Sequence, residues 1–312
     1  MNGTEKKDYL VVVNPNAGAG KGKKEWSKIS QMLVDKGMQF KEFFTERSFH
    51  AIEKMPEFVK AGFRRVIVVG GDGTLNEVVN GLLSQKEVPG TDFTVGMIPV
   101  GTGNDWLRSY NVSSDLEKAI DAIKTGRTTL QDVGVVRFTN GSENGQRYFA
   151  NMAGLGFDGT VAQKVNADKA KGKSNPFLYF TNLLTSLFSY KSSLLQIITD
   201  GKEIKARVFS MSVGIGQYNG GGMMQAPDAL TNDGLLDLTI IKEMPLLKMI
   251  ISLRRLLDGS IGKVKQVTML QGKNIRIESD RPVPLEADGE SLGYSPLEFS
   301  IVESALKVIT NK

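Results

Sequence analysis

One stretch limits the fold more than any other: Val66-Ile67-Val68-Val69-Gly70-Gly71-Asp72-Gly73-Thr74-Leu75-Asn76-Glu77. Val66–Val69 is a β-branched run without a polar residue, as in a strand covered on both faces. It ends at two glycines, after which Leu75, Val78, Val79 and Leu82 recur at the spacing of one helix face. Glycines at a strand end let the backbone come within hydrogen-bond reach of a phosphate, where a Cβ would intrude. The next helix, starting at Thr74 or Leu75, turns its free N–H groups and the positive end of its dipole toward the same place. Asp72 adds a carboxylate, useful there through a Mg2+ ion or a proton relay. A bare Gly-Asp-Gly could equally be a turn and a helix cap; the twelve-residue string favours the phosphate reading.

The same unit recurs through the first 128 residues. Tyr9–Val13 reads as a buried strand, Asn14–Gly22 as a glycine-rich loop, and Lys23–Lys36 as a helix with Trp26, Ile29 and Leu33 on one face. Gln39–Thr45 reads as a strand, His50–Ala61 as a helix, Thr94–Pro99 as a strand, and Leu116–Ile123 as a helix capped by Ser114 or Asp115. This alternation predicts a doubly wound parallel sheet with helices on both faces. Beyond Gly126–Leu130 the pattern changes to strand-like runs at 130–138, 148–152, 194–199, 205–214, 236–241, 264–270, 275–279 and 283–287. Asn140-Gly141, Asn144-Gly145, Asp200-Gly201 and Asp288-Gly289 read as hairpin turns. The expectation is an α/β domain over 1–128 and an antiparallel β-sandwich over 129–299 with a helical insertion from Phe157 to about Tyr190. Residues 300–312 are expected to pack back onto the first domain.

Composition removes whole classes of chemistry. Without cysteine there is no disulfide scaffold, thiolate metal site or thiol nucleophile, and a single histidine, His50, rules out a multi-histidine metal centre. His50 itself reads as a surface or half-buried helix residue. Acid–base work therefore falls to carboxylates or lysines. A net charge of +5 suits phosphates or an anionic surface and is too dispersed for a nucleic-acid binder. The polar start, Met1–Asp8, is no signal peptide, and neither apolar window, Phe177–Tyr190 or Met244–Leu257, gives the ~20 uninterrupted apolar residues of a membrane span. A cytoplasmic protein, touching a membrane at most from the side, is expected.

Two further glycine loops end predicted strands: Asn14-Pro15-Asn16-Ala17-Gly18-Ala19-Gly20 and Pro99-Val100-Gly101-Thr102-Gly103-Asn104-Asp105. The first is no Walker A loop, since Lys21 is not followed by Ser or Thr, and it lacks the acidic partner of a dinucleotide fingerprint. Open parallel sheets bind ligands beyond the carboxyl ends of their strands. Three such loops should therefore converge on one nucleotide crevice; Lys21, Lys23 and Lys24 either neutralise phosphates there or simply form a solvated helix start.

Together these loops resemble the diacylglycerol-kinase catalytic-domain family, and more narrowly its small soluble bacterial lipid kinases, from about Tyr9 to Val302. The Gly-Gly-Asp-Gly string is shared with NAD kinases and phosphofructokinases; the other two loops are more specific. The resemblance implies ATP in a cleft between two domains, with nucleotide contacts from Asn14, Pro15, Asn16, Ala17, Gly18, Thr45, Gly70, Gly71, Asp72, Gly73, Thr74, Asn76, Glu77, Gly101, Thr102 and Asn104. It implies that Asp72, Asp105 and Asp132 serve the catalytic metal region. Asn151–Asp158 looks like the family's second glycine loop. The loop from Ala226-Pro227-Asp228 to Asn232-Asp233-Gly234-Leu235 matches one that holds a structural Mg2+, through the Asp233 carboxylate and the carbonyls of Leu230 and Leu235.

Phosphoryl transfer to an alcohol needs a proton acceptor. The resemblance places that base at Glu290, in Leu285-Glu286-Ala287-Asp288-Gly289-Glu290; the residues alone do not separate it from Asp288. The implied reaction is ATP- and Mg2+-dependent phosphorylation of a lipid hydroxyl at a membrane surface. A kinase for a soluble alcohol such as NAD, and a non-catalytic nucleotide- or lipid-binding regulator, are the alternatives. Gly220-Gly221-Gly222-Met223-Met224 reads as a loop lying near the cleft, its methionines contacting an acyl chain or filling a gap. Phe177–Tyr190 and Pro245–Leu257 are candidates either for a membrane-facing surface or for helices that simply cover a sheet; the identity of the lipid and a homodimer are left open.

Overall fold

The computed structural model describes residues 8–170 and 176–311, with the side chains of 169–170 and 176–180 outside the description. The polar start at 1–7 and the side chains of Phe177, Leu178, Tyr179 and Phe180 lie outside it. Two compact units account for the chain: residues 8–131 with 304–311, and residues 132–303.

In the first unit, β1 (Tyr9–Val13), β2 (Phe40–Phe44), β3 (Arg65–Gly70) and β4 (Thr94–Pro99) pair parallel in the order β2-β1-β3-β4. Leu10–Val13 and Val66–Val69 are all at most 2% exposed. Successive strand residues point to opposite faces, so both faces of this sheet are covered. The cover comes from α1 (Ala17–Asp35), α2 (His50–Lys60), α3 (Asp72–Ser84) and α5 (Leu116–Thr125), with α2 against α3 and α1 against α5. The short α4 (Asp105–Arg108) follows β4. Asp115 caps α5 by accepting from the Lys118 N–H at 3.1 Å, and Gly126 ends it at φ 72°. His50 is buried at the start of α2, its Nδ1 accepting from the Glu46 N–H at 3.1 Å.

The second unit is an antiparallel β-sandwich. Its strands are β5 (Thr128–Asn140), β6 (Glu143–Phe149), β7 (Met152–Gly156), β8 (Ser193–Thr199), β9 (Lys202–Gly214), β12 (Leu236–Lys242), β13 (Val267–Gly272), β14 (Asn274–Ser279), β15 (Pro284–Ala287) and β16 (Glu290–Ile309). β10 (Tyr218–Asn219) and β11 (Met223–Met224) form a separate hairpin. β9 pairs with β8 through Lys202–Val208 and with β7 and β12 through later residues, so one strand serves two layers. β16 does the same, pairing with β15 near Glu290–Tyr294 and with β14 near Leu297–Ser300. Between the layers lie Phe149, Leu155, Val213, Leu238, Ile277 and Phe299, all buried. The helical insertion is α6 (Phe157–Ala170) and α7 (Pro176–Ser189), and α8 (Leu246–Leu257) follows β12.

Three differences from the sequence reading have physical causes. Asn144-Gly145 is no turn: both residues lie inside β6, and a Cβ at Gly145 would come 2.5 Å from the Phe138 ring, so the glycine seats an aromatic side chain. Residues 148–152 are not one strand, because the chain breaks between β6 and β7 at Ala150-Asn151. β16 escaped the sequence reading because Gly293 and Pro296 interrupt its pattern. Its last residues, Lys307 and Val308, pair parallel with Thr94 and Val95 of β4 and add a fifth strand to the first unit's sheet. The chain passes between units at Gln131–Asp132 and again at Glu303–Ser304, where Ser304 is left-handed at φ 50°.

Gly134 of β5 faces Phe149 of β6, and a Cβ there would lie 2.0 Å from the Phe149 ring. Gly134→Ala should destabilise the protein by ~1–3 kcal/mol through overpacking. Urea unfolding measures this, and an unchanged midpoint would contradict the packing.

Candidate functional site

Four strand ends of the first unit meet through main-chain bonds. The Asn14 N–H donates to the Val69 carbonyl at 2.9 Å, the Thr45 N–H to that of Val13 at 2.9 Å, and the Val100 and Gly101 N–H groups both to that of Gly70 at 3.0 Å. The three glycine loops then touch where side chains would not fit. A Cβ at Gly18 would lie 2.1 Å from the Val100 carbonyl oxygen, and one at Gly101 would lie 2.5 Å from the Gly71 Cα. Gly18, Ala19 and Gly20 are all left-handed, at φ 59°, 58° and 86°, so the loop closes one tight turn before α1 becomes regular. The Asn14 side chain ties the first loop to the second, its Nδ2 donating to the Thr74 hydroxyl at 2.9 Å while its Oδ1 accepts from the Asn16 N–H at 3.0 Å.

The N-cap of α3 is Gly71, which has no side chain with which to cap it. The helix therefore presents its first amide groups and its dipole at the loop cluster without a capping carboxylate. Asp72 caps α4 instead, its Oδ2 accepting from the Asp105 N–H at 3.1 Å and its Oδ1 from the Trp106 N–H at 3.2 Å. Buried Asp105 accepts from Arg108 Nε at 3.2 Å. The two carboxylates flank one glycine, since a Cβ at Gly103 would lie 3.2 Å from Asp72 Oδ2 and 3.5 Å from Asp105 Oδ2. Left-handed Asn104 donates from Nδ2 to the Gly101 carbonyl at 2.9 Å, and its Oδ1 is buried with no hydrogen-bond partner among the described residues. Close-approaching glycines, an uncapped helix start, an unsatisfied polar atom and two adjacent carboxylates fit the phosphates of a nucleotide together with a Mg2+ ion, which takes oxygen donors.

Two residues expected at the nucleotide have structural work. Glu77 accepts from the Phe49 and Ala51 N–H groups at 2.9 and 3.1 Å, satisfying the start of α2. Asn76 is wholly buried and its side-chain oxygen accepts from Asn80 Nδ2 at 3.1 Å. Pro15, Ala17 and Gly73 are half-buried, Asn16 and Thr102 are exposed, and Thr45 is buried against the end of β1.

In the second unit, Asp288 and Gly289 form the turn between β15 and β16, both left-handed at φ 48° and 84°. The Asp288 carboxylate accepts three buried amides, those of Ala150 at 2.8 Å, Asn151 at 3.0 Å and Met152 at 2.9 Å. Glu286 supports the turn from the other side, accepting from the Gly289 N–H at 2.8 Å and from Asn219 Nδ2 at 3.4 Å. Burial, and then the nearby Asp158 and Asp288 charges, push Glu286 up to about 8. Burial likewise pushes Asp158 up to about 6. The sequence reading missed this pair; the only hint is two carboxylates in otherwise apolar, glycine-rich strand ends. Glu290 is half-buried at the head of β16, with Asn166 Nδ2 at 3.5 Å from its carboxylate.

The loop expected to hold a structural cation is fastened by Asp132. Its N–H donates to the Thr231 carbonyl at 2.8 Å and its Oδ2 accepts from the Gly234 N–H at 2.7 Å. Asp233 and Leu230 are exposed, Leu235 is half-buried, and Asp233 Oδ1 accepts from the Leu235 N–H at 3.0 Å. Neighbouring Asp237 is pushed up to about 6, by burial first and then by Asp233 and Asp228. Its Oδ2 is buried without a hydrogen-bond partner among the described residues. No cluster of three or more His, Cys, Asp or Glu side chains able to hold a metal occurs among the described residues. A cation here would use the Asp233 carboxylate with main-chain carbonyls, and the local surplus of acid suits one.

Residues 8–136 match the family model described as diacylglycerol kinase catalytic domain, and residues 151–310 match that of the YegS C-terminal NAD kinase beta sandwich-like domain. A diacylglycerol kinase of Bacillus subtilis is 29% identical over 303 residues, 97% of this chain and 96% of that one. A crystal structure of a diacylglycerol kinase from Bacillus anthracis superposes at a TM-score of 0.71 with 24% identity, covering 99% of this chain and 98% of that one. Yeast NADH kinase complexed with NADH shares the fold more distantly, at a TM-score of 0.54 and 10% identity over 99% of this chain and 85% of that one.

Glu286 gives a test of the buried turn. Its value in the folded protein lies well above the ~4.3 of a free glutamate, so folding favours its protonated form and stability drains away as pH climbs from about 4.5 through 8. Glu286→Gln keeps the acceptor for Gly289 and removes the titration. The stability of the variant relative to the parent should rise from pH 5 to about pH 8 and then level off in guanidinium unfolding; a difference independent of pH would contradict the assignment. Asp288→Ala strands three buried amides and should cost ~3 kcal/mol or more in the same measurement.

Proposed function

The chain belongs to the diacylglycerol-kinase catalytic-domain family and is a kinase of that lipid-kinase type, and from this premise we propose that it transfers the γ-phosphoryl group of ATP to the hydroxyl of diacylglycerol or a related lipid alcohol. The observation that carries the nucleotide half of the reading is the meeting of the three glycine loops beside Asp72 and Asp105. Backbone amides at Gly70–Thr74 and Gly101–Asn104 would hold the phosphates, with the side chains of Asn14 and Asn104 fixing the loops. Asp72 and Asp105 would hold a Mg2+ ion, which when bound would neutralise phosphate charge.

Glu290 is the general base. Of the two carboxylates beside Gly289, Asp288 is occupied by three buried amides, and taking a proton would strip those donors of their acceptor. Glu290 is half-buried at the end of the turn, at the position where the family resemblance places the base. Its carboxylate takes the proton of the alcohol, the alcohol oxygen attacks the γ-phosphorus, and ADP leaves. Asp132 serves the site by fastening the 231–235 loop.

Glu290→Gln should lower kcat by ~10²–10⁴-fold with ATP affinity unchanged, measured with radiolabelled ATP and diacylglycerol in mixed micelles and, separately, by calorimetric titration of ATP. Full activity in the variant would remove Glu290 from the role. In the parent protein, transfer to NAD with none to any lipid alcohol would replace the substrate class.

A further inference from the structure

α8 is turned inside out for a surface helix. Met249, Ser252 and Leu256 face inward, the two apolar ones packing into a cluster with Phe157 and Phe209. The outward arc carries Leu246, Leu247, Ile250, Ile251, Leu253 and Leu257, and Leu247, Ile251 and Leu257 are 71, 62 and 65% exposed. Single exposed leucines are ordinary, but six on one twelve-residue helix form a contiguous patch that needs a partner. The patch has one sign of charge. Between residues 242 and 265 there are six lysines and arginines against two acids, Glu243 and Asp258, and the helix itself contains Lys248, Arg254 and Arg255 with no acid. No helix among the described residues is long and apolar enough to cross a membrane.

We propose that α8 is a membrane-docking helix that inserts its outward leucines and isoleucines shallowly into a bilayer containing anionic lipid, with Lys248, Arg254 and Arg255 on the headgroups. Charge complementarity selects this occupant. A second copy of the chain would bring the same cations face to face, whereas anionic headgroups meet them at ~1 kcal/mol each.

The helix is also wired to the candidate base within its own unit. α8 packs on β11, and Met224 rests on Gly259 just past the helix, where a Cβ would lie 2.8 Å from its sulfur. The other strand of that hairpin carries Asn219, which donates to Glu286, the residue that accepts the Gly289 N–H in the turn leading into Glu290. α8 and that turn thus belong to one connected set of contacts within the unit. This deepens the lipid-kinase reading and rests on it for the substrate alone.

Vesicle sedimentation with the full chain tests the surface without using catalysis. The probes are vesicles of phosphatidylcholine alone and of phosphatidylcholine with a third of phosphatidylglycerol. The parent protein should sediment with the mixed vesicles, less at high salt. The double variant Leu247→Glu, Ile251→Glu should bind them at least tenfold more weakly, while its activity on a short-chain diacylglycerol in solution stays unchanged. Lys248→Gln with Arg254→Gln, which leaves the apolar face intact, should lose only the advantage of anionic over neutral vesicles. Failure of the parent to sediment with mixed vesicles, or equal binding by the Glu variant, overturns the docking helix. So does a concentration-dependent dimer in ultracentrifugation that the Glu substitutions abolish while vesicle binding persists. Loss of activity on the short-chain substrate in the parent would instead count against the kinase reading and leave the docking result standing.

Discussion

The N-terminal unit depends on a contact that only bare backbone can make. Gly101 approaches the Gly71 Cα, and Gly18 approaches the Val100 carbonyl, at separations that leave no room for a Cβ. Parallel pairing of β1, β3 and β4 brings the strand ends side by side, and the missing side chains let the loops close over them. Close closure in turn places Asp72 at the start of α4 and beside Asp105, so two carboxylates come to one glycine. Packing, electrostatics and the proposed chemistry share this origin.

In the C-terminal unit, buried acids do structural work beside the more accessible Glu290, the proposed base. Asp288 spends its oxygens on three backbone amides and Glu286 accepts the Gly289 amide and the Asn219 side chain, which fixes a turn of two left-handed residues. Burial favours the neutral form of Glu286 and Asp158, whose values it raises to about 8 and about 6. A turn held this rigidly can present Glu290 in one place at little entropic cost when substrate arrives.

Much of this was legible in the sequence where a residue type answers one physical demand. Val66–Val69 had to be a strand covered on both faces, and Ser114 or Asp115 marked the start of α5, the structure giving the cap to Asp115. The resemblance carried by the glycine loops anticipated the family. Legibility failed where one residue type answers two demands. Asn144-Gly145 has the composition of a turn, yet its glycine makes space for Phe138. Glu77 lies inside the most informative motif, yet its carboxylate serves the start of α2, a long-range bond that no local pattern announces. β16 carries a glycine and a proline that hide a strand held by its neighbours rather than by propensity.

The fifth strand of the N-terminal sheet comes from the far end of the polypeptide, where Lys307 and Val308 lie against β4. The sheet is therefore discontinuous in sequence, and β4 is an interior strand only because the chain returns. A fragment stopped at Gln131 would carry all three glycine loops of the first unit and still leave β4 with an open hydrogen-bonding edge, the sort of surface on which chains join one another. The N-terminal unit is thus not an autonomous module, and synthesis must reach Val308 before its sheet can be sealed.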